Sequence, residues 1–247
     1  MRVISRLDIK NNDLIKGLNF EGLRKLGNAK DFAKEYYKKN ADEIMYIDTV
    51  ASLYSRSGLH EILLFTAKNI FVPITVSGAI KTVDDALLYF QNGADKISIN
   101  TAAVNEPKII EELVKYFGSA NVALSIEAKK IKNGTWNVFT STGRDNSGKE
   151  LKDWIIEATE RGVGEISLTS IDNDGYQSGF DYEMIDHGLS CCKVPLIVGG
   201  GFGHLDHLDK LDKSISGILI GSALHYKKVE IHSIKKKLAD LGFEVRI

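Results

Sequence analysis

The sequence predicts an α/β protein that forms one (β/α)8 (TIM) barrel over residues 1–247. Three observations lead to this fold class. Short apolar, β-branched runs recur along the chain, stretches with helical spacing and charged outer faces separate them, and the second half repeats the first. Alternating strands and helices favour parallel pairing, and eight such units fit a barrel. A doubly wound sheet is the weaker alternative, because it would not explain two equal halves.

The eight predicted strands lie at about residues 2–8, 44–49, 73–77, 95–99, 121–127, 164–169, 195–199 and 217–221. Helical spacing is clear between them, as in 84–90 and 107–114. Asn105 and Pro107 mark the start of one helix, since proline is favoured in a first helical turn. The runs 11–29 and 130–149 are long and dotted with Gly and Asn, so we expect loops that cover the site.

The chain repeats itself at about half its length. Residues 72–80 return as 194–202, each with a proline before an apolar strand and glycine after it, and residues 3–10 return as 122–129. The halves are therefore approximately 1–119 and 120–247. Each half ends a strand in a carboxylate and carries a glycine-rich turn, which predicts a ligand with two similar ends.

Composition narrows the class of protein. A hydrophobic content of 43% and a charged content of 26% are ordinary for a globular chain, and a net charge of −1 gives no electrostatic case for nucleic acid or acidic membranes. The N-terminus lacks a signal-peptide core, no apolar run is long enough to span a bilayer, and Cys191 and Cys192 are adjacent. We therefore expect a cytoplasmic protein. His204 and His207 have no third ligand nearby in sequence, so we expect neither a metal nor a cofactor.

Asp8 and Glu127 end the first and fifth predicted strands. The active site of such a barrel lies at the C-terminal ends of its strands, so these carboxylates should face each other across the mouth. Opposed carboxylates serve as general acid and general base when their surroundings push their pKa values apart. The alternative is a pair of solvated strand-end groups that form salt bridges with Lys10 and Lys129.

Glycine-bearing or hydroxyl-bearing turns follow four of the predicted strands. They are Ser77-Gly78-Ala79, Asn100-Thr101, Gly199-Gly200-Gly201 and Gly221-Ser222. Barrels often bind phosphate after the seventh and eighth strands through backbone N–H groups, and the repeat places a second such site after the third and fourth. Glycine could serve only to make tight turns, but two turns at the same offset favour a ligand with a phosphate at each end.

Four stretches resemble the cyclase subunit of imidazole glycerol phosphate synthase, a histidine-biosynthesis family. They are LDIK at 7–10, ADKISINTAAV at 94–104, GEISLTSIDNDG at 164–175 and SALHY at 222–226. The resemblance extends over residues 2–247. It implies a lyase subunit that takes ammonia from a glutaminase partner at the N-terminal face of the barrel. Ammonia and a ribulosyl bisphosphate of an aminoimidazole carboxamide would give imidazole glycerol phosphate and an aminoimidazole carboxamide ribotide.

The resemblance also implies residue roles. Asp8 matches the catalytic aspartate of the first strand, and Glu127 stands at the position of the second. Lys16 and Asp174 match substrate-binding positions. Phosphate-binding positions are matched by Ala79, Asn100, Thr101, Gly175, Gly201, Gly221 and Ser222. A charged ring at the barrel bottom, through which ammonia would enter, is matched by Arg2, Glu43, Lys96 and Glu165. Without the resemblance, these four charges would be interpreted as a cap on the barrel.

Three departures from the family pattern bear on the chemistry. Glu127 replaces an aspartate, which moves the carboxylate by about 1 Å, enough to cost roughly 10²-fold in rate. Ser77-Gly78-Ala79 replaces a glycine triplet. Arg6 replaces a small residue, and strand alternation points it into the barrel together with Asp8. A buried arginine must be paired, so we expect it to pair with Asp8 or Glu127 and to lower the pKa of that carboxylate.

Three alternatives to the cyclase remain open at this stage. The departures would suit a paralogue that channels ammonia with a glutaminase to an enzyme amidating a surface sugar. The related isomerase of the preceding pathway step shares the fold, the two phosphates and the paired carboxylates. A non-catalytic binding barrel is the last alternative, and it requires that Asp8→Asn leave every activity intact.

Overall fold

The computed structural model describes residues 1–49, 59–132 and 134–247. Within these residues there are twelve strands, numbered in chain order: β1 (Arg2–Lys10), β2 (Asp13–Leu18), β3 (Glu21–Asn28), β4 (Glu43–Asp48), β5 (Ile74–Ser77), β6 (Lys96–Ile99), β7 (Val122–Lys132), β8 (Thr135–Thr140), β9 (Asp145–Glu150), β10 (Glu165–Ser170), β11 (Leu196–Gly199) and β12 (Gly217–Ile220). Eight of them, β1, β4, β5, β6, β7, β10, β11 and β12, pair in parallel around a ring that closes between β12 and β1. The predicted barrel and the positions of its eight strands are confirmed.

The connections carry helices α1 (Ala29–Lys38), α2 (His60–Asn69), α3 (Val83–Gln91), α4 (Thr101–Asn105), α5 (Lys108–Phe117), α6 (Leu151–Glu160), α7 (Tyr182–Leu189), α8 (Ser222–His225) and α9 (Ile231–Asp240). Pro107 precedes α5, as predicted, but Asn105 ends α4 and does not start α5. The connection from β11 to β12 contains only a 3₁₀ turn, Leu205–Leu208, because glycines at 200, 201 and 203 disfavour a helix there. None of these described helices has the length and apolarity needed to cross a membrane.

Side chains of each ring strand alternate between the lumen and the outer helices. On β1, Val3, Leu7 and Ile9 belong to the outer core that the helices cover. Ile4 belongs instead to a small cluster inside the ring, together with four other buried apolar side chains, Met45, Ile47, Ile197 and Leu219. Arg6 shares the parity of Ile4, and it is buried. The prediction that Arg6 lies inside the barrel is therefore confirmed.

The two runs expected to be loops, 11–29 and 130–149, are instead largely antiparallel hairpins. β2 and β3 form the first, which extends β1, and β8 and β9 form the second, which extends β7. Asn19 and Gly143 lie at turns, whereas Gly17, Gly27 and Gly148 lie within the strands. At the tip of the first hairpin, Asn19 and Phe20 have φ of 48° and 62°, the conformation of a type I′ turn. Glycine and asparagine within and between these paired strands give the two runs the composition of a loop.

The repeated segments lie on opposite sides of the ring. β1 and β7 are four strands apart, and so are β5 and β11. This arrangement sets Asp8 on β1 opposite Glu127 on β7, and one set of glycine-bearing turns opposite the other, across the barrel mouth. The division into halves near residues 119 and 120 stays a prediction.

Candidate active site

Asp8 on β1 and Glu127 on β7 both face the lumen near the barrel mouth, and both are buried. Neither forms a salt bridge with Lys10 or Lys129, so the solvated alternative is wrong for both carboxylates. Neither residue ends its strand, because β1 and β7 continue past the ring into the two hairpins. The two carboxylates therefore lie inside the mouth, beneath the hairpins.

Both oxygens of Asp8 are occupied by cations. Arg6 donates from Nε to Oδ1 at 2.7 Å, and Lys16 donates from Nζ to Oδ2 at 3.0 Å. Burial alone would raise the pKa of Asp8, but the charges and hydrogen bonds of Arg6 and Lys16 outweigh it and hold this pKa well below its usual range. Asp8 is thus an ionised and restrained carboxylate at neutral pH.

Glu127 has the opposite character. Burial raises its pKa to about 7, the charge of Arg6 partly opposes this, and the nearby negative charge of Asp8 adds to it. Nδ2 of Asn100 donates a long hydrogen bond to its carboxylate at 3.4 Å, and the Gly143 backbone also bonds it. The expected pairing with Arg6 therefore occurs at Asp8 alone, and the pKa of Glu127 is raised, not lowered. At neutral pH Asp8 is ionised, whereas Glu127, with a pKa of about 7, is close to its titration midpoint.

The raised pKa of Glu127 predicts a pH-dependent stability. Because the folded pKa is about 7 and the unfolded one is 4.5, the contribution of this group is full below about pH 4.5 and is lost as pH rises through about 7. We expect the free energy of unfolding to fall by about 3 kcal/mol from this source between pH 5 and 8. Urea titrations of wild type and Glu127→Gln measure the difference, in which the other titrating groups cancel. Equal pH slopes for the two proteins would contradict the raised pKa.

Lys16 joins the first hairpin to the opposite side of the mouth. Besides Asp8, its Nζ bonds the Asp174 carboxylate at 2.8 and 3.1 Å, and the Asn19 N–H donates to the Asp174 carbonyl at 3.0 Å. Burial would lower the pKa of Lys16, but Asp174 and Asp8 raise it above its usual value, so the side chain stays charged. The structure brings the two predicted substrate-binding residues together, and the hairpin is closed over them.

Phe20, at the tip of the first hairpin, covers the cations of the site. Its ring centroid lies 4.9 Å from the Arg6 guanidinium and 5.8 Å from Lys16 Nζ, within cation–π range. The same ring packs with Phe139 of the second hairpin and with Ile171, just after β10. The two hairpins therefore meet over the mouth through one apolar cluster.

We expect Phe20→Ala to loosen the first hairpin, because truncating a buried Phe removes about 3–5 kcal/mol of packing. Amide hydrogen exchange in β2 and β3 should become at least about tenfold faster, while the barrel strands keep their protection. Leu23→Ala is the matched control, since Leu23 lies on the same hairpin and is exposed. Equal exchange in the two variants would mean that Phe20 does not hold the hairpin closed.

A cavity of about 500 Å³ opens at the rim beside β5, β6 and β7. Ala79, Asn100, Thr101 and Glu127 all line it, so it unites one predicted phosphate site with one carboxylate. The turn needs left-handed backbone at Ala79, with φ of 56°. A wider groove of about 580 Å³, beside Lys130 and Tyr182, contains neither carboxylate of the acidic pair.

The other predicted phosphate residues do not line this cavity. Gly175 packs under the first hairpin, where a Cβ would lie 2.5 Å from the Gly17 carbonyl oxygen, and Gly221 lies beside Lys16. A Cβ on Gly201 would lie 1.9 Å from the carbonyl oxygen of Gly179. Ser222 is buried at the start of α8. The first hairpin therefore lies against Gly175 and Gly221, whereas Gly201 packs against the loop that follows β10.

The predicted charged ring at the barrel bottom forms as expected. Arg2 bonds Glu43 at 2.8 Å and also bonds Glu165, and Lys96 bonds Glu165 at 2.5 Å and approaches Glu43 to 3.9 Å. Thr75, which the sequence did not single out, donates to Glu43 at 2.5 Å and belongs to this ring. The four charges alternate in sign, so each neutralises its neighbours at the lumen entrance.

Comparison with known proteins identifies the family. The model of the histidine biosynthesis protein family matches residues 2–230. The chain belongs to this family. It is similar to the imidazole glycerol phosphate synthase subunit HisF of Legionella pneumophila, with 49% identity over 206 residues, 83% of this chain and 97% of that one. Subunits of the same name from Streptococcus sanguinis and Helicobacter hepaticus are each 40% identical over 100% of this chain and 98% of theirs.

One member of the site in this histidine biosynthesis protein emerges only from the fold. Tyr36 on α1 hydrogen-bonds Nδ1 of His225 at 2.6 Å, and the His225 ring lies beside Gly221. Burial, helped by the charge of Lys16, lowers the pKa of His225 to about 3, so the imidazole is neutral at physiological pH. From the sequence, His225 after the eighth predicted strand is as consistent with packing as with a place beside the second phosphate, and no sequence pattern connects it with Tyr36.

Proposed function

We propose that this chain is the cyclase subunit of an imidazole glycerol phosphate synthase. The observation that carries the proposal is that one barrel mouth holds two different carboxyl groups. Asp8 is ionised, and the pKa of Glu127 is about 7. A cavity lined by predicted phosphate-binding residues reaches Glu127. The names of relatives 40–49% identical to the chain support the same assignment.

In the proposed reaction, ammonia condenses with the carbonyl carbon of the ribulosyl chain, and the imidazole ring then closes. The condensation releases the carbonyl oxygen as water, which needs a proton delivered to that oxygen and a proton removed from nitrogen. A protonated Glu127 is suited to the first task and the Asp8 carboxylate to the second. The ring closure then breaks the bond to the second product, an aminoimidazole carboxamide ribotide.

The two phosphates of the substrate would occupy the two predicted sites. Ala79, Asn100 and Thr101 line an open cavity that can receive one phosphate. The other would bind near Gly175, Gly201, Gly221 and Ser222, which requires the first hairpin to lift. Lys16 is ion-paired with Asp174 in the closed state, so we propose that both exchange partners with substrate as the hairpin moves.

We further propose that a glutaminase subunit docks at the N-terminal face of the barrel and delivers ammonia through the lumen. The ring of Arg2, Glu43, Lys96 and Glu165 lies at that end. It would have to part for ammonia to enter, and its alternating charges allow pairs to re-form afterwards. We infer a cytoplasmic location from a biosynthetic reaction of this kind, and that location stays a prediction.

One observation favours a second candidate. Asp8 is held by Arg6 at 2.7 Å, and this ion pair ties up the carboxylate expected to act as the base. A paralogue that only channels ammonia to a sugar-amidating enzyme would tolerate such a pair. The cyclase also tolerates this ion pair if Arg6 positions Asp8 and leaves its carboxylate able to accept a proton.

A steady-state assay separates the candidates. The purified chain is given the bisphosphate substrate with ammonium ion, and separately with glutamine and its glutaminase. Turnover within about a hundredfold of the usual 1–10³ s⁻¹ would establish the cyclase. An absence of turnover from both ammonia sources would refute it and favour the conduit. Isomerase product in a reaction without ammonia would assign the chain to the preceding pathway step instead.

A further inference from the structure

Arg6 is a fully charged side chain in the middle of the barrel lumen. Its side chain is 4% exposed, and it lies between the apolar cluster that contains Ile4 and the carboxylate of Asp8. An isolated charge in this position would be very unfavourable, so the loss of Asp8 alone, which leaves Arg6 unpaired, would destabilise the fold. The cation–π contact with Phe20 then closes the guanidinium from above.

The two carboxylates differ in what can reach them. Asp8 has a cation on each oxygen and does not line the rim cavity. Glu127 lines that cavity, and Asn100 is its only side-chain hydrogen-bond partner among the described residues. With the first hairpin closed, a ligand in the cavity can exchange a proton with Glu127 and cannot displace either cation from Asp8.

We propose that Arg6 is a positioning residue that keeps Asp8 ionised, so that Asp8 can only accept a proton and Glu127 is the member of the pair that holds one to donate. The role of Glu127 in the reaction rests on the proposed function. The assignment of charge to the two carboxylates does not rest on that function.

The charged groups facing Glu127 explain why Arg6 decides the assignment. Arg6 and Asp8 reach it from β1, Asp174 from the loop after β10, and the Gly143 backbone from the second hairpin. Two carboxylates buried in one mouth repel each other, so one of them tends to hold a proton. Arg6 bonds one member of the pair directly, and its Nη2 has no hydrogen-bond partner in the described part of the chain. The direct bond stabilises the negative charge on Asp8, so a proton shared between the two carboxylates resides on Glu127.

The test is a titration of Glu127 that requires no turnover. The full chain is labelled with ¹³C at glutamate Cδ, and Glu127→Gln identifies the resonance. We expect a midpoint near neutral pH in wild type. Arg6→Met should move the midpoint upward by about one pH unit or more, because a neighbouring cation is lost. Asp8→Asn should move it downward, because a neighbouring anion is lost. Arg6→Lys, which keeps the charge, should stay closer to wild type.

Arg24→Met is the matched control, since it removes one positive charge from an exposed position on β3 and should leave the midpoint unchanged. Shifts of the same sign in Arg6→Met and Asp8→Asn would overturn the proposal, as would a wild-type midpoint near 4.5. If Arg6→Met does not fold, the Glu127 midpoints of Arg6→Lys and Asp8→Asn still test the proposal, since only Asp8→Asn should lower the midpoint.

The pH profile of kcat connects the titration with the reaction. The limb near neutral pH should follow the Glu127 midpoint from wild type to Arg6→Lys and Arg6→Met. A limb that stays in place while the midpoint moves would overturn the proton-exchange role of Glu127. If no variant and no wild-type protein turns over, while the midpoints shift as expected, then the proposed cyclase function fails and the assignment of charges by Arg6 stands.

Discussion

Replacing Asp8 with asparagine is expected to reduce turnover by about 10²–10⁴-fold, the usual contribution of a general acid or base. The same change should lower the free energy of unfolding by about 3–5 kcal/mol, because Arg6 and Lys16 lose a shared buried anion. Asparagine keeps the shape of the side chain, so both effects report the charge. Steady-state kinetics and urea unfolding at pH 7 measure the two effects separately.

The double variant Arg6→Met/Asp8→Asn separates folding from chemistry. Removing both members of the ion pair leaves Lys16 with Asp174, so most of the lost stability should return. Turnover should not return, because no carboxylate has replaced Asp8. A double variant as unstable as Asp8→Asn would mean that the ion pair with Arg6 is not the source of the destabilisation. Recovery of turnover would mean that Asp8 is not needed as a base.

The barrel could be predicted from the sequence because its strands are buried on both faces. Such strands appear as continuous apolar runs, for example Ile74–Ser77 and Gly217–Ile220, and these need no knowledge of tertiary contacts. The sequence repeat between the two halves then predicted that corresponding strands lie on opposite sides of the barrel. The inward direction of Arg6 followed from its spacing of two from Asp8 along the same strand.

The hairpins and the electrostatics of the site could not be predicted in the same way. Phe20 adopts φ of 62° at a turn position that usually holds glycine, so no local signal shows that its ring covers Arg6. The pKa of Glu127 depends on burial and on charges from β1 and from the loop after β10. The ring of Tyr36 reaches His225 over 189 positions of sequence. Each of these features arises from residues that only the closed barrel brings together.

The ion pair of Lys235 and Asp42 should matter as much for stability as the catalytic cluster does. Lys235 on α9 is buried, and its Nζ bonds Asp42 Oδ1 and the Arg246 carbonyl, each at 2.7 Å. Asp42 immediately precedes β4 and also accepts a hydrogen bond from the Val3 N–H at 2.8 Å. One carboxylate thus joins the first two strands of the ring, the last helix and the chain end.

Lys235→Met should therefore lower the free energy of unfolding by about 3–5 kcal/mol, because it leaves the buried Asp42 without its principal cation. Lys237→Met is the matched control on the same helix. Lys237 pairs with Asp209 at 2.6 Å at the solvent-exposed surface, where water screens the pair, so its loss should change the free energy of unfolding little. Urea unfolding of both variants measures the contrast. Equal losses would show that burial does not set the strength of these pairs, and the same reasoning about Arg6 and Asp8 at the other end of the barrel would then lose its physical basis.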